Sequence, residues 1–456
     1  MLDDTIAALA TPYGEGGIAI VRISGTEALA VAAAVLALPP GQLGEWPTHF
    51  LRPAGFYDPR SGELIDRGLA VRMAAPHSYT GETVVELQGH GGILVSQEVL
   101  RAVLRAGARL AQPGEFTKRA FLNGKIDLAQ AEAVADLIRA RSDAARRLAL
   151  RQMEGKLSAA VRVVQNELTG LMAAMEAMID FPDEVAGEEN WIPATTALAE
   201  ALERLLAGAR GGKAAREGIR VVIVGKPNAG KSSLWNALIG EERAIVTAVP
   251  GTTRDALEEV VSVQGVPVRL VDTAGIRETL DLVEALGIER AREMLRRAQV
   301  AVVVLDAAAG LGAEDEMVMS LVSEMPRVIV VNKSDLPQPQ IDAARIIDYV
   351  PGEKVIWTAA TTGQGLAELE AELLALALGE TGEENSWLIG NLRQEQAVAT
   401  AWHSLIEARA ALEQGLPQEC ALIDLRTAWE EIGEITGESL PEQIIDRIFA
   451  DFCIGK

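Results

Sequence analysis

Apolar and polar positions follow three different rhythms along this 456-residue chain. Over residues 1–118, short strand-like runs (Gly17–Ile23, Leu69–Met73, Thr83–Leu87) alternate with Gly and Pro turns and one helical stretch, Ser96–Ala106. From Asp127 the rhythm turns helical. Leu128–Leu150 is Ala-rich with almost no breaker, and Leu157, Val161, Val164, Leu168, Leu171, Met175 and Met178 then recur at spacings of four and three, the seam of a packed helix. Phe181-Pro182-Asp183 ends it. A third helix, about Ala194–Ala209, leads into Gly211-Gly212, which reads as a break.

At Gly218 the period switches again. Strand-like runs at Arg220–Val224, Val266–Val271, Val300–Leu305 and Val328–Val331 alternate with helical patterns, the mark of a doubly wound parallel sheet, which ends with the helix Leu366–Leu378. Past Glu380 the chain is helical once more, over Leu392–Gln414, Leu422–Ile435 and Glu442–Phe452. The expected fold class is multidomain α/β plus all-α. An N-terminal α/β domain (1–118) precedes a discontinuous helical bundle (119–216 and 380–456), and a second α/β domain (217–379) is inserted in that bundle.

Composition narrows the class. Hydrophobic residues at 49% and charged residues at 23% exclude wholesale disorder. The formal charge of −23 argues against a protein that coats nucleic acid non-specifically, which needs clustered Lys and Arg. Cys420 and Cys453 are too few for a disulfide framework or a four-thiolate zinc site, and a reducing cytoplasm is the expected compartment. No basic n-region with an apolar core opens the chain and no apolar run approaches membrane-spanning length, so neither export nor membrane insertion is expected.

The strongest chemical signal is Gly225-Lys226-Pro227-Asn228-Ala229-Gly230-Lys231-Ser232, a G-x-x-x-x-G-K-[ST] loop directly after an apolar strand. Its glycines let backbone N–H groups close around phosphate oxygens at a helix N-terminus. Lys231 reaches the terminal phosphates, and the Ser232 hydroxyl sits where Mg²⁺ needs an oxygen. Asp272-Thr273-Ala274-Gly275 puts an acid at the next strand end for water-mediated Mg²⁺ contact. Asn332-Lys333-Ser334-Asp335 supplies a carboxylate that accepts two hydrogen bonds from a guanine edge, which adenine does not offer. Between the first two motifs, Gly251-Thr252-Thr253-Arg254-Asp255 carries a second hydroxyl ligand for Mg²⁺. These motifs, in this order, define a P-loop GTPase. Ala359-Ala360-Thr361 occupies the base-capping position where such enzymes often carry Ser-Ala-Lys; without that Ser, the Ala360 amide is the group left to touch the base. Ile276 stands where Ras-like enzymes orient water with a Gln, so another polar group must serve if GTP is hydrolysed. Glu278, Asp281, Glu284 and Glu289 are the candidates that periodicity leaves open.

Further blocks extend along the chain: Thr11-Pro12, Arg22-Ile23-Ser24-Gly25, Tyr79-Thr80-Gly81-Glu82, Val85 through Gly92, Pro113-Gly114-Glu115-Phe116, Arg119 through Lys125, Asp127 through Glu132, and Phe452-Cys453-Ile454-Gly455-Lys456. With them the whole chain resembles the bacterial tRNA-modification GTPases of the MnmE (TrmE) family. The resemblance implies an N-terminal tetrahydrofolate-binding domain, a helical domain interrupted by a Ras-like G domain, and a homodimer. It implies a flavin-dependent MnmG-type partner, in an α2β2 complex, with which a (carboxymethyl)aminomethyl group is installed at C5 of the wobble uridine of certain tRNAs. The one-carbon unit comes from 5-formyl- or 5,10-methylene-tetrahydrofolate.

Carried over residue by residue, the resemblance places folate contacts at Arg22, Glu86, Lys125 and Lys456. Ser232 and Thr253 fall on the Mg²⁺ positions. Asn228, Thr252 and the backbone carbonyls of Thr247 and Val249 fall on those for a K⁺ ion that takes the place of an arginine finger. GTP contacts run through Asn228–Ser233, including Ser233, and through Thr247, Ala248, Val249, Pro250, Gly251, Thr252 and Thr253. The water-positioning acid falls on Glu284, with hydrolysis stimulated by K⁺-dependent docking of two G domains. Cys453 matches the family's lone reactive cysteine; a nucleophile there would need a lowered pKa and access.

Other features have blander readings. Gly14-Glu15-Gly16-Gly17 reads as a turn before a strand, and His90 as a backbone-bonded residue in a tight loop rather than a base. Arg139, Arg141, Arg146, Arg147 and Arg151 read as a solvated helix face, with contact to tRNA phosphates or an acidic partner as the alternative. Two other functions compete: a ribosome-assembly GTPase of the Era/Der type, disfavoured because no KH-like Gly-x-x-Gly loop follows the G domain, and a non-enzymatic GTP-switched platform.

Overall fold

The computed structural model describes residues 4–181, 190–243, 258–271, 295–296, 298–337, 340–341, 346, 349–378 and 388–455. They form two compact units, Met1–Ala135 with Ile432–Lys456, and Asp136–Glu431.

The first unit is built on a six-stranded sheet of order β3-β4-β5-β2-β1-β6. Its strands are β1 (Ile6–Leu9), β2 (Gly16–Ser24), β3 (Arg52–Tyr57), β4 (Leu64–Met73), β5 (Val84–Gly91) and β6 (Arg109–Leu110). Pairing is antiparallel except between β1 and β6. The pleat decides which residues meet. Val21, Ile23, Val85 and Leu87 turn into a core closed by α1 (Ala28–Val35) and α2 (Ile93–Arg105), while the register sets Arg22 opposite Glu86. Beyond the sheet lie α3 (Glu115–Leu122), the start of α4 (Leu128–Arg139), and the C-terminal helix α13 (Glu442–Ala450). Leu128, Ala131 and Ala135 pack there against Ile445, Phe449 and Phe452.

The second unit joins a helical layer to a second six-stranded sheet, of order β12-β11-β10-β7-β9-β8. The layer comprises α5 (Asp143–Met153), α6 (Lys156–Asp180), α7 (Ile192–Glu217), α11 (Leu392–Glu413) and α12 (Gln418–Thr436). The strands are β7 (Ile219–Val224), β8 (Glu258–Val263), β9 (Val266–Val271), β10 (Val300–Asp306), β11 (Arg327–Asn332) and β12 (Val355–Trp357), with helices α8 (Lys231–Arg243, broken at Gly240), α9 (Ala313–Leu321) and α10 (Leu366–Leu378). All pairs are parallel except the β8–β9 hairpin. Val300, Val302 and Val304 of β10 belong to one apolar layer and Ala301, Val303 and Leu305 to the other, so the strand is buried on both faces and reads as an unbroken apolar run.

The fold class is therefore the expected one: an α/β N-terminal unit, a helical layer in two sequence segments, and a doubly wound P-loop sheet inserted between them. Two local expectations fail. Leu128–Leu150 is not continuous: α4 ends at Arg139 and α5 restarts behind Ser142, whose side chain caps the Ala145 N–H. Gly211-Gly212 is no break, because α7 runs through it to Glu217. A Cβ on Gly212 would lie 1.8 Å from the Ile389 carbonyl oxygen, so glycine serves a close backbone approach instead. The short strands β1, β3, β6, β8 and β12 and helix α1 lay below the level that periodicity detects.

Candidate functional site

The P-loop follows buried β7 and opens α8, the position where open α/β sheets bind ligands. Lys231 Nζ donates to the carbonyls of Gly225 (2.7 Å) and Lys226 (2.8 Å), so the loop closes around its own lysine. Asn228 adopts a left-handed conformation (φ 61°) and is exposed; Ala229 beside it is buried. Gly230 also has positive φ (95°), and a Cβ there would lie 2.1 Å from Asn332 Nδ2. Ser232 and Ser233 lie in the first turn of α8 with exposed side chains.

The end of β11 braces this loop. Asn332 Nδ2 donates to the Ala229 carbonyl at 3.2 Å, and Lys333 Nζ donates to the Asn228 carbonyl at 2.8 Å and to Asp306 Oδ2 at 2.6 Å. Burial alone would raise the Asp306 carboxyl, but the Lys333 contact and backbone N–H donors hold it below its ordinary range. Asp335 is exposed, as a base-reading carboxylate must be. Thr361 Oγ1 donates to Asp335 Oδ2 at 3.5 Å. The Ala359–Thr361 segment is held without the usual serine, because Asn332 Oδ1 accepts from Thr358 Oγ1 and from the Ala360 N–H, both at 3.2 Å. The Ala360 amide thus has an internal partner that sequence reasoning did not anticipate.

Two further residues emerge only from the fold. Lys226, a variable position of the motif, donates to Asp315 Oδ2 and to the Gly310 carbonyl, each at 2.8 Å. Asp315 is fully buried and also accepts from the Gly312 N–H at the start of α9. Nothing in the motif spacing pointed to an acid so remote along the chain. Thr247–Thr253, Asp272–Gly275 and Glu284 lie outside the described residues, as does Lys456.

The first unit gathers a second polar site. Arg22 Nε donates to Glu86 Oε1 at 2.9 Å, as the β2–β5 register requires, and Arg22 Nη1 reaches the Gly455 carbonyl at 3.5 Å. Its guanidinium lies 5.7 Å from the ring centres of both Tyr79 and Phe116. Lys125 Nζ donates to the Pro76 carbonyl at 3.1 Å. Beside these, Arg119 is only 1% exposed and donates to the Asp4 carboxylate and carbonyl, to Glu82 and to Glu115. Arg109 pairs with Asp4 and Glu115 as well. Cys453 is an exposed free thiol. His90 is a strand residue of β5, not a loop residue, and its Nδ1 lies 2.7 Å from Asp66 Oδ1.

Comparison with known proteins decides the family. The family described as "GTP-binding protein TrmE N-terminus" matches residues 5–125, and the "MnmE helical domain" matches residues 128–453. The tRNA modification GTPase MnmE of Symbiobacterium thermophilum is 48% identical over 461 residues, covering 100% of both chains. That of Desulforamulus reducens is 44% identical over 463 residues, again covering 100% of both. This chain belongs to the MnmE family. The two polar sites of this MnmE-family chain sit in different parts of the match: Arg22 and Glu86 in the TrmE N-terminal segment, and the P-loop between the two sequence segments of the helical layer. Among the described residues no helix is long and apolar enough to cross a membrane, and no cluster of three His, Cys, Asp or Glu residues could hold a metal.

Proposed function

We propose that this chain is a cytoplasmic, K⁺-stimulated GTPase of tRNA modification, acting as a homodimer with a flavin-dependent MnmG-type partner in an α2β2 complex. The observation that carries the reading is the double brace of Lys333 and Asn332 on the Asn228 and Ala229 carbonyls. By tying the Gly225–Ser232 loop to the Asn332–Asp335 segment, it supports reading the first as phosphate-binding and the second as guanine-reading. We read the domains as 1–118, 119–216 with 380–456, and 217–379.

Within the P-loop, Lys231 and the Ala229–Ser233 backbone hold the phosphates, and Asp335 selects guanine. Ser232 presents an exposed hydroxyl in the first turn of α8, a hard oxygen suited to Mg²⁺; Thr253 would be its second protein ligand. Exposed Asn228 has the oxygen chemistry for K⁺, with Thr252 and the Thr247 and Val249 carbonyls. Cations held there supply charge that offsets what develops on the phosphates. Glu284 orients the attacking water in place of the absent glutamine. Pro250, Ala248, Gly251 and Thr273–Gly275 complete the nucleotide contacts.

In the N-terminal domain, Arg22, Glu86, Lys125 and Lys456 hold a 5-formyl- or 5,10-methylene-tetrahydrofolate. The Glu86 carboxylate is suited to accept from a pterin amino group, and the cations suit glutamate carboxylates. Exposed Cys453 lies in the same terminal segment as Lys456. The product is the (carboxymethyl)aminomethyl group at C5 of the wobble uridine.

The test is GTP turnover in K⁺ against Na⁺, with and without the flavoprotein. Loss of a transition-state charge stabiliser costs related enzymes ~10³–10⁵ in rate, so K⁺ should raise turnover by orders of magnitude, and Glu284→Ala should abolish the gain. Equal rates in the two salts would remove the Asn228 assignment. Deletion of the protein should also strip the C5 substituent from tRNA hydrolysates; an unchanged nucleoside profile would overturn the modification reading.

A further inference from the structure

Two lysine–aspartate couples hold the P-loop from outside, one at each shoulder. At Asn228 the couple is Lys333 with Asp306, the last residue of β10. At Lys226 it is that residue's own side chain with Asp315, in the first turn of α9. The two acids flank the short connection 307–312, so the stretch from β10 to α9 grips the loop twice.

The second grip is the more deeply buried. Asp315 Oδ2 accepts from Lys226 Nζ at 2.8 Å and from the Gly312 N–H at 3.0 Å, and Lys226 Nζ also donates to the Gly310 carbonyl. The main chain of Lys226 has other partners: its carbonyl accepts from Lys231 Nζ at 2.8 Å and from the Ala229 N–H at 3.3 Å. One residue thus joins a buried carboxylate to the lysine of the phosphate-binding motif. The arrangement is a poor one for stability. Asp315 Oδ1 is buried without a hydrogen-bond partner, as is the Tyr349 hydroxyl, whose pKa is pushed up by burial and by the charges of Glu316 and Asp315. A buried ion pair with an unsatisfied oxygen commonly stabilises a fold no better than apolar side chains of similar size.

We propose that Asp315 is a positioning residue for the guanine nucleotide, acting through Lys226. The couple holds the first shoulder of the loop so that the Lys226 carbonyl keeps Lys231 in place, and the fold itself does not need it. This rests on reading Gly225–Ser232 as the phosphate-binding loop. A loop already held in its binding shape loses less freedom when nucleotide enters, so the complex is tighter and releases more slowly. Lys226 occupies a position where the motif accepts any residue, so the anchor belongs to α9 of this chain and not to the motif.

The full-length protein is loaded with a fluorescent GDP analogue and Mg²⁺, chased with excess GDP, and its release rate followed by stopped flow. The double variant Lys226→Met/Asp315→Leu, which removes both charges together, should release the analogue about tenfold faster, the scale of one lost charged hydrogen bond. Its denaturant midpoint should not fall below the parent's. Gly310 and Gly312 are not buried, so water can take up the backbone groups that the variant leaves. Lys226→Arg, whose fork can serve both the Asp315 carboxylate and the Gly310 carbonyl, should stay within about threefold of the parent. Arg327→Met, which breaks the pair with Glu353 at the opposite end of β11, should leave release unchanged. Release by the double variant within about twofold of the parent overturns the proposal. So does equal acceleration in Lys226→Arg or in Arg327→Met. A double variant that unfolds or loses stability overturns it too, since the couple would then be fold support alone. A parent chain that takes up no analogue would instead overturn the phosphate-loop reading itself, and this inference with it.

Discussion

The P-loop cradle and the ion network around Arg119 both bury polar groups, by opposite means. The cradle is made of main chain. Its carbonyls are braced by Lys231, Asn332 and Lys333, and its shape is set by positive φ at Asn228 and Gly230. The network is made of side chains from three separate stretches of sequence: Asp4, Glu82, and the neighbouring Arg109, Glu115 and Arg119. A backbone site is intolerant of added atoms, because its main chain cannot rotate away and the buried Asn332 amide that braces it yields only by giving up its hydrogen bond. A side-chain site tolerates added volume better, but fails when a buried charge loses its counter-charge.

The largest expected effect tests the first half of that contrast. Gly230→Ala places a methyl 2.1 Å from Asn332 Nδ2 in a conformation that L-residues avoid. Strain of ~1–3 kcal/mol and loss of the Asn332 brace, ~1–3 kcal/mol, together predict guanine-nucleotide affinity lower by about 1,000-fold. Titration with a fluorescent GDP analogue measures it. Affinity within about threefold of the parent would mean that the loop is not held by its backbone.

The second prediction compares two arginines of one network. Arg119→Met removes a guanidinium that is 1% exposed and leaves Glu115, itself buried, with a weakened set of donors. Breaking a buried pair costs roughly 3–5 kcal/mol; Arg109, 42% exposed, should cost less when replaced by Met, about 1–2 kcal/mol, because the Arg119 hydrogen bond to buried Glu115 stays in place. The same network sets an acid limit. Burial by itself would raise the Glu115 carboxyl, but hydrogen bonds from Arg109, the Gln112 N–H and Arg119 outweigh it and hold the pKa below its usual value. A depressed carboxylate contributes stability that is complete above its unfolded pKa, near ~4, and is lost as pH falls through the folded value. Denaturant midpoints taken from pH 7 downward should therefore fall below about pH 4, and fall less in Arg119→Met. Parallel curves for the two proteins would separate Arg119 from the acid transition.

This contrast also explains what could be read in advance. The nucleotide cradle occupies one uninterrupted stretch, Gly225–Ser232, and its brace another, Asn332–Asp335, so residue order alone displays the chemistry. Arg22 and Glu86 meet only through the β2–β5 register, and no periodicity links them. They were legible through family resemblance and not through spacing. Lys226 and Asp315 were not legible at all, because their contact depends on α9 beginning beside the P-loop. Gly211-Gly212 misled for a related reason. A glycine pair has the same local meaning whether it ends a helix or admits a neighbouring backbone, and only Ile389 distinguishes the two. The Leu157–Met178 stripe was readable because helical burial repeats along the chain, and Leu157, Val161, Val164, Leu168, Leu171 and Met175 are all buried in α6.

The smallest effect lies where backbone and side chains share the work. The β8–β9 hairpin turns through Gln264 (φ 49°) and Gly265 (φ 84°), the two-residue geometry that suits twisted antiparallel strands. The Gly265 carbonyl accepts the Ala144 N–H of α5 at 3.0 Å, so the turn is also a seat for a helix. A Cβ on Gly265 would come 3.3 Å from Arg147 Nη2, the far end of a flexible side chain, and no nearer to any backbone atom than 3.9 Å. Space is therefore available and conformation alone sets the penalty, unlike at Gly230. Gly265→Ala should cost about 1–2 kcal/mol, the usual strain of a left-handed L-residue. Gly265→Asn should recover much of it, because Asn tolerates that region. Denaturant midpoints of the two variants measure the difference. Equal losses for Ala and Asn would shift the cause from backbone conformation to the contact with α5, and would make this turn behave like the side-chain network instead of the cradle.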